Sequence, residues 1–395
     1  MKRLPTILAT ALILTAACTE EHSGSNADHV IGITPGNGIY NLSDTFTEYE
    51  TIFLEDALVS NIKDVILTEG RLIIQARTDK DIAVSLFSRN GEFISPVVRI
   101  GRGPGELTNV DAMAYNPYTN TLDVLGEIGT KIIKYDCGSF EPVSTISLRD
   151  SEIISARDFC PIDKDRYIFY KDYSLLDEQE YFLYVHNCTT NETEDRFLPM
   201  DKQLAEVLSF GQTNNLYSKD GAIYFYAAFQ NRIYEYSDGT LSPFVDFAEN
   251  KFSFPDKLLK DHSYKNLSDF VNTCKTSPYI WAHINVFAYR NYIFSTYMYQ
   301  DKVHDNIMNL ETDSSDSYTE LRDDLIWDIK TSQLRSVFYL VSTTDSNAIY
   351  TVEPLQLKEL IEQQAYTGED KAIKTNREKV LALPDDANPI ILLLK

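Results

Sequence analysis

The most distinctive local pattern in the chain is the glycine-rich segment Gly101-Arg102-Gly103-Pro104-Gly105-Glu106. Closely spaced glycines are typical of loops that hold phosphate, because their backbone amides can approach an anion. A phosphate loop also needs a Lys-Ser/Thr pair and a following helix, whereas here Glu106 brings negative charge and a predicted strand begins near Asp111. The segment therefore indicates a tight structural connection, in which glycine supplies positive φ and Pro104 stiffens the turn. Arg102 and Glu106 either pair with each other or face the mouth of a channel.

The other residue types that support catalysis or metal binding form no linear motif. The six histidines are isolated, so no His-x-x-Glu-His or similar zinc spacing occurs, and there is no Gly-x-Ser-x-Gly nucleophile turn. Carboxylates from distant parts of the chain can still converge for glycoside hydrolysis, or bind Ca²⁺ together with carbonyl oxygens, without a local signature. The sequence thus predicts no cofactor and no histidine metal site, and it leaves a calcium site in a central channel open.

Cys18 is a candidate for covalent modification. It follows Leu14-Thr15-Ala16-Ala17, at the end of an uncharged, mostly apolar run after Lys2 and Arg3. That run is shorter than the about 20 residues of a membrane-spanning helix. The pattern resembles the lipobox of bacterial lipoproteins, with Thr15 in place of the usual Leu. We therefore predict a signal peptide over residues 1–17 and a lipidated flexible tether over residues 18–44.

Four further cysteines remain: Cys137, Cys160, Cys188 and Cys274. An oxidising envelope permits disulfides, and four cysteines allow three connectivities. No Cys-x-x-Cys pair occurs, and Cys160 and Cys274 look like small buried apolar residues. Free thiols and disulfides both remain open.

The charge balance restricts the class of partner. The chain carries 59 Asp and Glu against 36 Lys and Arg, a formal net charge of −23. Such a surface repels phosphate backbones and anionic lipid headgroups. We therefore expect no nucleic acid partner, and contact with the membrane through the lipid anchor alone.

From about residue 50 onward the pattern is that of short β-strands separated by turn residues. The run Ala83–Phe87, for example, continues through Asn90-Gly91, a strong signal for a two-residue hairpin. Six similar groups of about four strands predict an all-β fold, a six-bladed β-propeller of four-stranded antiparallel blades. Helical periodicity at Asn266–Lys275 and Pro354–Gln364 predicts short helical insertions.

The two ends of the predicted propeller, residues 45–395, are expected to meet. The chain ends with the apolar run Ile390–Leu394, which is typical of a buried strand, and Thr51–Leu54 is its natural N-terminal partner. Pairing of these strands in one blade would close the ring.

These features resemble the 6-bladed β-propeller lipoproteins. The resemblance rests on Glu50–Glu55, Phe87–Phe93, Gly101–Glu106 and the terminal Asp386-Ala387-Asn388-Pro389, and it covers most of residues 45–395. Leu107 stands where the family usually has an aromatic residue, and Ser88 where Asp is common. The resemblance implies a fold and an envelope location, and it implies no reaction.

Two classes of function follow. The favoured one is non-catalytic binding of a protein, peptide or carbohydrate at one face of the ring, by a bacterial outer membrane lipoprotein facing the periplasm or the cell surface. The alternative is an envelope hydrolase or lactonase that uses carboxylates or Ca²⁺ in the channel. A set of aromatic residues either forms a sugar-stacking surface or packs between blades: Phe225, Tyr226, Trp281, Tyr297 and Tyr299.

Overall fold

A computed structural model describes most of the chain from residue 26 onward. The described ranges are 26–55, 58–68, 70–78, 82–103, 105–172, 180–201, 215–219, 221–227, 229–260, 263–332 and 337–395. Cys18 and Pro104 lie outside them.

The described chain forms six small antiparallel sheets, which we call blades one to six in chain order. Three short strands precede blade one: β1 His29–Ile31, β2 Gly38–Asn41 and β3 Tyr49–Phe53. Blade one contains β4 Ser60–Thr68, β5 Arg71–Arg77, β6 Ile82–Ser88 and β7 Phe93–Pro96. The pair β8 Arg99–Ile100 and β9 Glu106–Leu107 leads to blade two, with β10 Val110–Asn116, β11 Thr121–Gly126, β12 Lys131–Asp136 and β13 Pro142–Ser147.

The other four blades repeat the pattern. Blade three contains β14 Asp158–Pro161, β15 Arg166–Tyr170, β16 Tyr181–Asn187 and β17 Glu192–Pro199, and blade four contains β18 Leu216–Lys219, β19 Ala222–Phe225, β20 Arg232–Ser237 and β21 Thr240–Phe247. Blade five contains β22 Ile280–Tyr289, β23 Tyr292–Tyr299, β24 Lys302–Asn309, β25 Ser314–Asp323 and β26 Ile329–Thr331. Blade six contains β27 Phe338–Thr343, β28 Ala348–Val352, β29 Ile390–Leu394 and, as its outer strand, β3. The predicted six-bladed propeller is confirmed.

The blades are held together by apolar contacts between their faces. Buried hydrophobic side chains fall into six clusters, one at each interface between neighbouring blades. Side chains alternate along a strand, so neighbouring residues serve different interfaces. Leu72 and Ile74 pack against blade six, whereas Ile73 between them packs against blade two. Each blade therefore stabilises both of its neighbours, and burial of one such side chain contributes about 1.5–3 kcal/mol.

The ring closes through the pairing that the sequence predicts. Ile390 lies opposite Phe53 and Leu394 opposite Tyr49 in an antiparallel ladder. Asn388 extends this connection towards blade one, because its side chain accepts from the Val59 amide (2.9 Å) and donates to the Leu54 carbonyl (3.0 Å). The two ends of the propeller are thus joined in one sheet.

The direction of the strands determines at which end of the ring each connection lies. The strands of a blade are counted from the channel outwards, and successive strands run in opposite directions. The segment that enters the innermost strand and the hairpin between the second and third strands therefore lie at the same end of the ring. We call this the connection end. It carries the glycine-rich segment and the helices Asp256–Leu259, Leu267–Thr276, Pro354–Gln363 and Lys371–Leu381. The opposite end carries short hairpins.

Both predicted helices are observed. The first, Leu267–Thr276, begins after Asn266, whose side chain accepts from the Asp269 amide. The helix Lys371–Leu381 is not predicted, because its sequence is mostly polar and only one face is buried. It is capped by Asp370, which accepts from the Ala372 amide at 2.7 Å.

The prediction of a flexible tether over residues 18–44 is wrong from His29 onward. Strand β1 pairs in parallel with β21 of blade four, and β2 pairs in parallel with β25 of blade five. The physical reason is burial. Ile31 and Ile33 are 0% and 3% exposed in the cluster between blades four and five, and the open edges of the outer strands supply backbone partners.

A pair of adjacent substitutions tests this attachment. Ile31→Ala should destabilise the protein by about 2–4 kcal/mol, because it leaves a cavity between two blades. Val30→Ala is the matched control, since Val30 is 45% exposed, and it should change stability by less than about 0.5 kcal/mol. Urea unfolding measures both. Equal, small effects would mean that the segment does not pack on the ring in solution.

Candidate functional site

The innermost strands of the six blades surround a central cavity with a volume of about 370 Å³. Residues from all six contribute to its wall, so no single part of the sequence defines it. They include Asp64, Asp111, Asp158, Ser218, Phe287 and Ser342. The cavity lies within the range of about 300–1,000 Å³ that is typical of small-molecule sites.

Three carboxylates occupy equivalent positions in this wall. Asp64, Asp111 and Asp158 lie in the innermost strands of blades one, two and three, and each precedes a residue that pairs with the second strand of its blade. The intervals from 64 to 111 and from 111 to 158 are equal. The propeller repeat therefore places one acid from each of three consecutive blades on the channel.

Asp111 is held by an unusual turn of blade two. Three consecutive residues, Glu127, Ile128 and Gly129, have positive φ values of 56°, 59° and 66° and form a left-handed turn. The Gly129 amide donates to the Asp111 carboxylate at 2.8 Å. A side chain at Gly129 is excluded, since its Cβ would lie 2.5 Å from the Ala156 amide nitrogen.

Left-handed backbone at Ile128 is costly, because the residue is β-branched. Its side chain is 57% exposed at the connection end, so apolar packing does not compensate for this cost. Hydrogen bonds hold the turn: the Gly129 amide donates to the Asp111 carboxylate on its inner side, and the Ser155 amide donates to the Ile128 carbonyl at 3.1 Å. Burial raises the pKa of Asp111, and the hydrogen bonds from Gly129 and Asn109 and the charge of Arg157 act against that rise.

Asp158 connects blade three to blade four. Its carboxylate accepts from the Leu216 amide and from the Phe159 amide, both at 2.9 Å. The side chain is 9% exposed, and burial raises its pKa to about 6 despite these hydrogen bonds.

Asp64 lies on the same channel in blade one. Its carboxylate accepts from the Val65 amide at 2.7 Å. Its pKa is raised to about 7 by burial and by the charge of Asp158, and hydrogen bonds from Val65 and Ser342 act against that rise. Asp64 and Asp158 line the same cavity, and the charge of Asp158 contributes to the raised pKa of Asp64.

The remaining lining residues give the cavity a mixed character. Lys63 and Arg157 bring positive charge, and Asp345 adds a fourth carboxylate. Apolar side chains such as Met113 and Phe287 complete the wall. The arrangement can bind a ligand that combines a cationic or hydrogen-donating group with an apolar part, and the carboxyls that titrate near neutral pH could also exchange protons with it.

Within the part of the chain that the structure describes, no three His, Cys, Asp or Glu side chains form a metal-binding group. Cys137, Cys160, Cys188 and Cys274 are free cysteines. Cys160 lines the cavity, where burial, followed by the charge of Asp158, raises the pKa of its thiol well above the usual range.

The glycine-rich segment lies in the connection from blade one to blade two, outside the central cavity. The Glu106 carboxylate accepts from the Gly103 amide at 2.7 Å, and Gly105 has a φ of +76°. Gly101 leaves room for this carboxylate, because a Cβ at position 101 would lie 2.0 Å from Glu106 Oε2 and would displace the glutamate side chain. Arg102 lines a surface hollow beside Glu127, Ile128 and Arg149. The Glu106 carboxylate thus bonds to the backbone, and no ion pair between Arg102 and Glu106 occurs among the described residues.

The aromatic set singled out in the sequence is mainly core. Phe225, Tyr226, Trp281 and Tyr297 are at most 4% exposed, and they belong to the clusters on either side of blade four. These buried rings cannot offer a sugar-stacking surface.

Sequence reasoning missed the three channel aspartates. The chain has so many acidic residues that no pair of them stands out. The available signal was the equal spacing of an Asp followed by apolar residues, as in Asp64-Val65, Asp111-Ala112 and Asp158-Phe159. Only the ring explains why that spacing matters.

Replacing Asp158 by Asn should change how stability depends on pH. The native pKa of about 6 exceeds the ordinary value of 3.8, so the folded protein binds more protons than the unfolded chain between these values. The contribution of the protonated Asp158 carboxyl to the stability of the fold is therefore present at low pH and is lost as the pH rises through 6. From about pH 5 to pH 8 the wild type should lose roughly 1 kcal/mol relative to Asp158→Asn.

Urea unfolding at several pH values measures this difference. The matched control is Asp195→Asn, because Asp195 is exposed on the outer strand of blade three, and it should follow the wild type. An Asp158→Asn protein with the wild-type pH dependence would contradict the assignment.

Comparison with known proteins supports the fold and leaves the activity open. A crystal structure of a predicted exported protein from Bacteroides fragilis superimposes with a TM-score of 0.72 at 16% identity, covering 93% of this chain and 99% of that one. A protein of unknown function from Bacteroides thetaiotaomicron gives a TM-score of 0.43 at 11% identity, covering 90% and 75% of the two chains. No curated protein matches the chain.

None of the described helices is long and apolar enough to cross a membrane. Residues 31–395 match the family model described as Domain of unknown function (DUF4934), which includes strands β2 and β3 as well as all six blades. The chain belongs to this family.

Proposed function

We propose that the protein is a lipid-anchored propeller of the bacterial cell envelope that binds, without catalysis, a peptide or protein segment carrying a basic side chain in its central channel. The observation that carries this proposal is the set of three carboxylates, Asp64, Asp111 and Asp158, on one cavity of about 370 Å³.

Charge determines the kind of ligand. Four aspartates line the cavity against two cations, Lys63 and Arg157, and the whole chain has a formal net charge of −23. A lysine ammonium or arginine guanidinium would be attracted towards this channel, and the low local dielectric would strengthen its interaction with a carboxylate. An anionic ligand would be repelled by the same negative charge.

The wall of the cavity suits a basic side chain or a short peptide as the ligand. The innermost strands bring apolar as well as polar groups to the wall, so the methylene stem of a basic residue can contact Met113 or Phe287 while its head meets the carboxylates. Because the channel draws on all six blades, such a ligand would contact a site that is already formed before binding.

The location rests on two observations. The Cys18 pattern resembles a lipobox, and the structurally similar protein of Bacteroides fragilis is a predicted exported protein. We propose lipidation at Cys18 and residence in the outer membrane, with the propeller facing the periplasm or the cell surface.

The second candidate is an envelope hydrolase. It is favoured by the raised pKa values of Asp64 and Asp158, about 7 and 6, since a carboxyl that titrates near neutral pH can act as a general acid or base. The backbone hydrogen bonds that hold each carboxylate argue for a fixed binding group.

Binding of trilysine tests the proposed ligand class. Calorimetric titration should detect binding, and Asp64→Asn should weaken it by about tenfold, as expected for the loss of about 1.4 kcal/mol of charge interaction. Affinity should rise from about pH 5.5 to pH 8, because deprotonation of Asp64 near pH 7 creates the charge that attracts the ligand.

Asp238→Asn is the matched control, because Asp238 lies in the hairpin between β20 and β21, away from the channel. It should bind trilysine as the wild type does. Absence of trilysine binding, or equal weakening by both substitutions, would contradict the proposal. Tri-alanine should not bind, and hydrolysis of a peptide or ester by the wild type but not by Asp64→Asn would favour the enzyme instead.

Lipidation has its own test. Expression of the full chain with labelled palmitate in a bacterial host should label the wild type and leave Cys18→Ser unlabelled, because acylation requires the thiol. The control Cys137→Ser should remain labelled. Equal labelling of wild type and Cys18→Ser would contradict the anchor.

A further inference from the structure

The central cavity reaches the protein surface at the end of the ring opposite the connection end. Each innermost strand runs from the connection end to a hairpin at that opposite end. Pro117 lies in the hairpin after β10, and Thr344 and Asp345 lie in the hairpin after β27. All three residues line the cavity, and Pro117 and Asp345 are exposed. We call the opening between these hairpins the mouth of the channel.

The charged groups of the wall are unevenly distributed along the channel. Lys63 lies in the half of β4 that is nearer the connection end, and Arg157 directly precedes β14 at that end. Asp345, in contrast, lies at the mouth. A basic side chain that enters through the mouth therefore meets a carboxylate first, whereas one that comes from the connection end has to pass Arg157. The charges of the wall direct a basic ligand through the mouth.

The N-terminal segment begins at this same end of the ring. Strand β1 runs parallel to β21, and β2 runs parallel to β25. Both partners are the fourth strands of their blades, which run towards the connection end because it carries the segment to the next blade. Strand β1 consequently starts, at His29, at the end that carries the mouth. Ile31 then fixes this strand in the cluster between blades four and five.

The chain that precedes His29 limits how far an anchor can lie from it. Ten residues, 19–28, separate His29 from Cys18. Even a fully extended chain of this length spans at most about 36–40 Å. Acyl chains on Cys18 would therefore hold the end of the ring that carries the mouth next to the membrane.

We propose that the mouth of the channel faces the membrane that holds the anchor, and that its partner is a basic segment of a membrane-bound protein. The membrane-facing mouth rests on the proposed function, because both the lipid anchor and the basic ligand come from it. Anionic headgroups attract Lys and Arg side chains to the membrane surface. A basic segment next to the membrane is thus concentrated where the mouth can bind it.

Two hairpin residues of blade two form a matched pair for labelling. Tyr118 lies at the end of the mouth and Ile128 at the connection end, and they are 56% and 57% exposed. Tyr118→Cys and Ile128→Cys are made separately in the full lipidated chain, with Cys137→Ser and Cys188→Ser to remove the two free cysteines that are not buried.

Energy transfer to lipid tests the orientation. The lipidated variants are inserted in phosphatidylglycerol and phosphatidylcholine vesicles that contain an acceptor-labelled lipid. A donor fluorophore on residue 118 should transfer more energy than the same fluorophore on residue 128. Equal transfer, or greater transfer from residue 128, would overturn the proposal. Release of the protein from the vesicles would overturn the anchor and, with it, the membrane-facing mouth.

A bulky block on either cysteine tests the route of entry. Biotin maleimide followed by streptavidin should abolish trilysine binding when it is attached at residue 118 and leave binding intact at residue 128. Loss of binding in both proteins or in neither would overturn entry through the mouth. Absence of trilysine binding to the unblocked wild type would contradict the proposed ligand class, and the energy transfer would still report the orientation.

Acylated trilysine in the same vesicles tests the membrane-bound partner. It should displace fluorescent trilysine from the anchored protein, and acylated tri-alanine should not. Displacement by free trilysine but not by the acylated peptide would overturn a partner presented at the membrane and would favour a soluble ligand.

Discussion

The structure depends above all on the pairing of Ile390–Leu394 with Tyr49–Phe53. A propeller blade packs on both of its faces, and an unclosed ring would leave two apolar faces and an open channel in water. Closure supplies the missing neighbour to blades one and five, through alternating residues such as Leu392 and Leu393 that face opposite interfaces. The stability of every interface is therefore linked to the last few residues of the chain.

Closure also creates the site. The innermost strands surround the cavity of about 370 Å³, and burying a carboxyl group in its wall is costly unless the group is hydrogen-bonded. Asp111 is held by the left-handed turn at Ile128, and Asp158 by the Leu216 amide of the next blade. The same contacts that fix one blade to another thus fix acidic groups on the channel. Fold stability and ligand binding share these residues, so substitutions in them require both a stability and a binding measurement.

The sequence predicts the architecture well because blades leave local signals, namely alternating runs, hairpin turns and an apolar terminal strand. It fails at His29–Asn41 because the partners of these strands lie more than two hundred residues away in blades four and five. It also fails for the channel aspartates, since convergence around an axis leaves no linear motif. The helix Lys371–Leu381 is missed because its buried face is defined by contacts such as that of Arg377 Nη1 with the Trp327 carbonyl.

Titration of the aspartate side-chain carboxyls by NMR tests the central claim most directly, because it reports whether the channel acids share a desolvated space. The account predicts that Asp64 titrates near pH 7 and Asp158 near pH 6, and that trilysine lowers both pKa values by stabilising the carboxylates. Ordinary titration near pH 4, unaffected by trilysine, would show that the channel is well hydrated and would contradict the assignment of the site.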